Sequence, residues 1–192
     1  MKPSAIVVIG ASAGGIQALS TVLQGLPGEF PAPVVIVQHR PATGKSHLVS
    51  ILERRTVLPV VEAADGEALK PGCVYIARPD QHLTVTSAGC FAYSNGRRVH
   101  HLLSAATPLF ASAAESFGPG AIGVVLTGYG RNGTDGVQAI KGHGGVVIAQ
   151  DQATSEHFGM PRAAIVTGAV DYVLPLEEIA PALVRVATQR SG

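Results

Sequence analysis

Tryptophan is absent from this sequence, cysteine occurs only twice, and charged residues fill only 14% of its 192 positions. Each scarcity excludes something. Cys73 and Cys90 cannot form a disulfide framework, and neither lies in a Cys-x-x-Cys pair, so both read as small buried hydrophobes. Lys and Arg number 14 against 13 Asp and Glu, a net charge of +1. No bulk charge therefore favours nucleic acid or an anionic membrane. No apolar run approaches the roughly 18–20 residues that span a bilayer. Met1-Lys2-Pro3-Ser4 leads straight into a strand-like run and lacks the shape of a signal peptide. The expectation is a cytoplasmic chain without membrane insertion. Cysteines and carboxylates do not cluster with histidine at ligand spacing, so no zinc site is expected. The low charge does not signal disorder, because 46% of the residues are hydrophobic. At about 150 residues per domain, one domain over 1–192 is expected.

What the chain does have is a regular alternation of short apolar runs with helix-length segments. Runs 5–9, 34–37, 57–61, 121–126 and 146–149 are hydrophobic throughout, as strands covered on both faces are. Helical patterns follow most of them. Ile16, Leu19, Val22 and Leu23 are expected inward on the first, Leu48, Ile51 and Leu52 on the second, and Val137 and Ile140 on a later one. Segments 107–118, 161–167 and 176–188 also read as helices, and 171–174 as an edge-like strand. Segments 72–77, 82–86 and 90–93 read as short strands between turn residues. The fold class expected is α/β: a doubly wound, mostly parallel sheet with an inserted antiparallel β-hairpin or meander at about residues 72–94.

The first strand ends in Gly10-Ala11-Ser12-Ala13-Gly14-Gly15. A dinucleotide fingerprint would need glycine where Ser12 stands, and an acid where the second strand ends in Gln38-His39. The pattern fits a nucleophile elbow, G-x-S-x-G, with Ser12 exposed at a strand-to-helix turn. Backbone N–H groups at Ala13 and Gly14 can then serve an oxyanion. A plainer reading makes Ser12 a helix cap. His39 follows the second strand. Carboxyl ends of neighbouring parallel strands share an edge, so His39 can reach Ser12 as a base. The remaining histidines, the His100-His101 pair and His157 among them, lack this logic. A third turn, Leu126-Thr127-Gly128-Tyr129-Gly130-Arg131-Asn132-Gly133-Thr134-Asp135-Gly136, lies at the same edge. Asp135 is its only acid. It reads either as the partner of His39 or as a helix-start acid favoured by the dipole. The order Ser, His, acid differs from that of the α/β-hydrolases.

Together these segments resemble the catalytic domain of the chemotaxis protein-glutamate methylesterase family, CheB. The resemblance is carried by IVVIGASAGGIQAL (6–19), VVIVQHRP (34–41), GVVLTGYGRNGTDGVQAIKGHGGVVIAQDQATSEHFGMPRAAI (123–165) and GAVDYVLPLEEIA (168–180). It implies an α/β sheet with an inserted hairpin and a Ser-His-Asp triad. It also implies hydrolysis of glutamate γ-methyl esters on the cytoplasmic helices of methylated chemoreceptors or a similar protein, and in many members glutamine deamidation. Ser12 matches the nucleophile and His39 the base. Thr127, Gly128 and Tyr129 match the backbone near oxyanion and ester. No cofactor is implied. The chain departs from the family pattern in three ways. Asn132 occupies the position of the triad aspartate, which implies a weak esterase or, as the alternative, an impaired binding or regulatory module; Asp135 is the possible substitute acid. Leu103-Ser104-Ala105-Ala106-Thr107 lacks the Arg and Asp that the family carries before Leu109-Phe110. Nor does the sequence hold a receiver domain, so intramolecular phosphorylation control is not expected of this chain alone, and a separate receiver or regulator protein is a candidate partner.

Overall fold

The computed structural model describes residues 2–39, 47–94 and 105–191. His100-His101 and Leu103-Ser104 lie outside them.

Seven strands form one parallel sheet. In chain order they are β1 (Ile6–Ala11), β2 (Val34–Gln38), β3 (Val60–Glu62), β4 (Val74–Ile76), β7 (Ala121–Val125), β8 (Val146–Gln150) and β9 (Tyr172–Leu174). Their order across the sheet is β3-β4-β2-β1-β7-β8-β9. β5 (His82–Val85) and β6 (Phe91–Ser94) pair antiparallel as a separate hairpin. The helices are α1 (Gly15–Gln24), α2 (Leu48–Glu53), α3 (Ala106–Phe117), α4 (Thr134–Gly142), α5 (Gly159–Val166) and α6 (Leu176–Ser191).

Every residue of β1, β2 and β7 is buried, which is why these strands read as unbroken apolar runs. Successive side chains alternate between two cores. Val7 and Ile9 pack with Leu19, Leu23, Leu52 and Leu183 of α1, α2 and α6. Ile6 and Val8 pack with Phe110, Val137 and Phe91 of α3, α4 and the hairpin. Tyr75 on β4 meets Phe91 edge to face, with ring centroids 4.8 Å apart, and this seats the hairpin on the sheet.

Three expectations need correction. The segment read as the first strand of the meander is β4, which joins the main sheet between β3 and β2. A three-residue run flanked by turns looks the same in either setting. Ile16 and Ile51, expected inward, are 42% and 38% exposed. Ile51 lies roughly a quarter turn from the buried stripe of Leu48 and Leu52, and Ile16 stands in the first turn of α1, at the carboxyl edge of the sheet.

Chain connections leave β1 toward β2 on one side and return to β7 on the other. The sheet therefore has its switch point between β1 and β7, and a crevice forms outside their carboxyl ends. All three singled-out turns start at this edge. No helix among the described residues is long and apolar enough to cross a membrane.

Candidate active site

Backbone pairing puts Ser12 and His39 side by side. Ala11 pairs with Gln38 at the end of the β1–β2 ladder, and the His39 N–H donates to the Ala11 carbonyl at 3.1 Å. On the other flank the Ser12 N–H donates to the Thr127 carbonyl at 3.0 Å. Ser12 thus stands in the crevice between β1 and the turn after β7. It does not cap α1 with its side chain: the residue before the helix is Gly14, at φ 74°, and no side chain caps that end. Glycine alone takes this backbone without strain. The Ala13 and Gly14 N–H groups have no hydrogen-bond partner among the described residues. They lie at the positive end of the α1 dipole, beside the Ser12 hydroxyl, where an oxyanion would develop.

The turn after β7 contributes shape rather than donors. Its Thr127 N–H is taken by Gln150 Oε1 at 2.9 Å and its Gly128 N–H by the His157 carbonyl at 2.8 Å. Thr127 and Gly128 stand at the same sheet edge as Ser12, but these two N–H groups are occupied. Gly128 is needed for close approach. A Cβ there would lie 2.7 Å from Ser12 Cβ and would collide with Met160 Sδ. Tyr129 is 66% exposed and stacks on His157, ring centroids 4.1 Å apart.

Asn132 is the residue that meets His39. It is 4% exposed, its Oδ1 accepts the Ala106 N–H at 3.1 Å, and its Nδ2 contacts His39 Nε2. The first contact fixes the second, since a backbone N–H can face only the oxygen of the amide. Nδ2 is therefore the donor and His39 Nε2 the acceptor. A neutral His39 then carries its proton on Nδ1. A base acting on Ser12 through Nδ1 needs the opposite tautomer, with Nδ1 bare and Nε2–H donated to an acceptor. The amide holds the ring in place and sets the proton of the neutral ring on Nδ1.

Two parts of the site have roles that local sequence rules do not reveal. Gln38, 7% exposed, sends Nε2 to the Ser12 carbonyl at 2.7 Å and the His39 carbonyl at 3.1 Å. One side chain ties the nucleophile turn to the base turn. Its Oε1 has no partner among the described residues and lies against Gly15. Gln38→Glu removes both donors and points a carboxylate at two carbonyls. We expect a stability loss of roughly 1–3 kcal/mol, read as a lowered melting temperature, together with reduced turnover. The second part is the segment after β8. Gln150 Nε2 donates to the Thr154 carbonyl at 2.8 Å, Thr154 N–H to Asp151 Oδ1 at 2.9 Å, and His157 N–H to Thr127 Oγ1 at 2.8 Å. These bonds clamp residues 150–158 onto the turn that shapes the serine pocket.

Residues 7–183 match the family model described as CheB methylesterase. The chain belongs to that family. A protein of Anaeromyxobacter dehalogenans named protein-glutamate methylesterase/protein-glutamine glutaminase 2 is 47% identical over 178 residues, covering 93% of this chain and 52% of that protein. A Leptospira interrogans protein whose name assigns the same activity provisionally is 42% identical, with 93% of each chain covered. The crystal structure of the Thermotoga maritima CheB methylesterase catalytic domain superposes with a TM-score of 0.92 at 40% identity, covering 95% of this chain and 98% of that one. The chain spans about half the length of most of the curated relatives it matches.

In this CheB-family chain Asp135 does not stand in for an acid at 132. It is exposed in the first turn of α4 and makes no hydrogen bond or ion pair with a described residue. Asp135→Ala is therefore expected to change esterase turnover by less than about threefold, within the roughly 0.5 kcal/mol typical of surface substitutions. Methanol release checks this. Among the described residues no group of three or more His, Cys, Asp or Glu could hold a metal ion. Burial pushes the Cys73 thiol above its ordinary range, which keeps it protonated.

Proposed function

We propose that this chain is a cytoplasmic methylesterase that hydrolyses glutamate γ-methyl esters on chemoreceptor helices, and that Asn132 makes it slow. Ser12 Oγ attacks the ester carbonyl and His39 takes its proton. The oxyanion is held by the Ala13 and Gly14 N–H groups, methanol leaves with the proton from His39, and water releases the acyl-enzyme by the same route. None of these steps calls on a cofactor. The observation that carries the reading is the convergence of Ser12, His39 and Asn132 at one sheet edge, with Asn132 against His39 Nε2.

The surroundings suit a helical protein substrate. An open groove of about 560 Å³ lies between the turn after β7 and α5, lined by Gly130, Arg131, Gly159, Arg162 and Val166. Val166 is 79% exposed, so apolar surface and two cations line this groove. A receptor helix bearing acidic side chains around its esterified glutamate matches that mixture.

The test is methanol release from a methylated chemoreceptor preparation. Turnover that disappears in Ser12→Ala supports the reading. Equal turnover in both proteins removes Ser12 from the mechanism and overturns it.

A further inference from the structure

We infer that Asn132 converts itself to aspartate in the folded protein, so that the chain matures from a slow form to a competent one. This deepens the proposed reading by supplying regulation of the same site. The chemistry is that of an asparagine followed by glycine. The Gly133 backbone nitrogen attacks Asn132 Cγ and gives up its proton. A five-membered imide forms and Nδ2 departs as ammonia, carrying a proton supplied to it. Water then opens the imide at Cγ to give aspartate, or at the main-chain carbonyl to give isoaspartate. One water enters, one ammonia leaves, and nothing is oxidised. Glycine at 133 offers no Cβ to hinder the attack.

Each atom whose charge changes already touches a group that assists the change. The Gly133 N–H donates to Thr107 Oγ1 at 3.2 Å, a hydroxyl that can relay the departing proton to water as it passes its own on. Oδ1, where negative charge develops, accepts the Ala106 N–H at 3.1 Å in the first turn of the 12-residue α3. That is the donor arrangement used to stabilise an oxyanion. Nδ2, the leaving atom, faces His39 Nε2, and the protonated form of the ring delivers its Nε2 proton to the departing ammonia. The product fits its surroundings better than the reactant. An aspartate at 132 keeps the Ala106 N–H on one oxygen and presents the other to a protonated His39 Nε2. The helix N-terminus and the imidazolium both favour the carboxylate.

The change is read by mass and needs no substrate, so its failure is separable from failure of the esterase reading. Trypsin cleaves after Arg131 and Lys141, and peptide 132–141 reports residue 132, with fragmentation separating it from Gln138. The full chain is incubated at neutral pH, folded and in urea, alongside His39→Leu and Thr107→Val. We expect the folded chain to gain the amide-to-acid mass difference at 132 faster than the unfolded chain, in normal aspartyl linkage. Conversion should be roughly 10²-fold slower in His39→Leu, the low end of a general acid's contribution. It should also be slower in Thr107→Val, which serves if His39→Leu does not fold. An amide that persists in the folded chain while the unfolded chain converts would overturn the inference. So would an isoaspartyl product, or equal rates in the wild type and in whichever variant folds.

Discussion

Asn132→Asp is expected to raise methylesterase turnover by roughly 10²–10⁴-fold, because a triad with asparagine in place of aspartate loses about 10⁴ in kcat. The upper end corresponds to about 5–6 kcal/mol of transition-state stabilisation. The structure gives the substitution a direct route to that effect. The Ala106 N–H already holds Oδ1, so the new carboxylate keeps the same placement. Its second oxygen replaces a donor with an acceptor against His39 Nε2. In the proposed mechanism the proton of neutral His39 then moves from Nδ1 to Nε2, the tautomer in which the ring can act as a base toward Ser12. Charge balance follows, since the carboxylate stabilises the imidazolium that forms after attack. The gain should appear in kcat with KM little changed, because no group that contacts the substrate is altered. Methanol release under saturating methylated receptor reads it.

Ser12→Ala is expected to reduce turnover to the level left by binding and oxyanion donors alone, both in the wild type and when combined with Asn132→Asp. The two substitutions are not additive, because nucleophile and base act as a unit. Added to Asn132→Asp, it causes a large fall, on the order of 10³-fold or more. In the wild type the fall is smaller, since little triad catalysis is left to lose. Stability should hardly move. Ser12 engages its neighbours through its backbone, donating to Thr127 and accepting from Gly15 and Gln38, and its side chain does not cap α1. The melting temperature therefore serves as the control for fold, with any change within about 0.5 kcal/mol.

Strand positions were legible wherever burial on both faces leaves an unbroken apolar run, as in β1, β2, β7 and β8. The placement of β4 was not, because pairing partners of a short strand are chosen by distant chain segments. Ser12 and His39 could be read from local rules: a glycine-flanked serine after one strand, a histidine after the next, and a shared carboxyl edge. The contact between His39 and Asn132 follows from the same rule applied to β7, which is why the turn after that strand mattered. Asp135 looked equivalent in sequence, yet one helical turn carried it out to solvent. Gln38 escaped notice because its role is to bond two backbone carbonyls on adjacent turns, which no spacing reveals. The occupation of the Thr127 and Gly128 N–H groups depends on Gln150 and His157, more than twenty residues away. The long motif around residues 149–162 therefore acts on the site through scaffolding of the serine pocket.

The most direct measurement compares methanol release from a methylated receptor preparation by freshly purified protein, mass-verified as asparagine at 132, with that by Asn132→Asp and by Asn132→Asp carrying Ser12→Ala. The expected result is slow turnover in the first, a rise of roughly 10²-fold or more in the second, and loss of that rise in the third. Fast turnover by the verified Asn132 protein with no gain on Asn132→Asp would contradict the assignment of the acid position, and turnover surviving Ser12→Ala would contradict the assignment of the nucleophile.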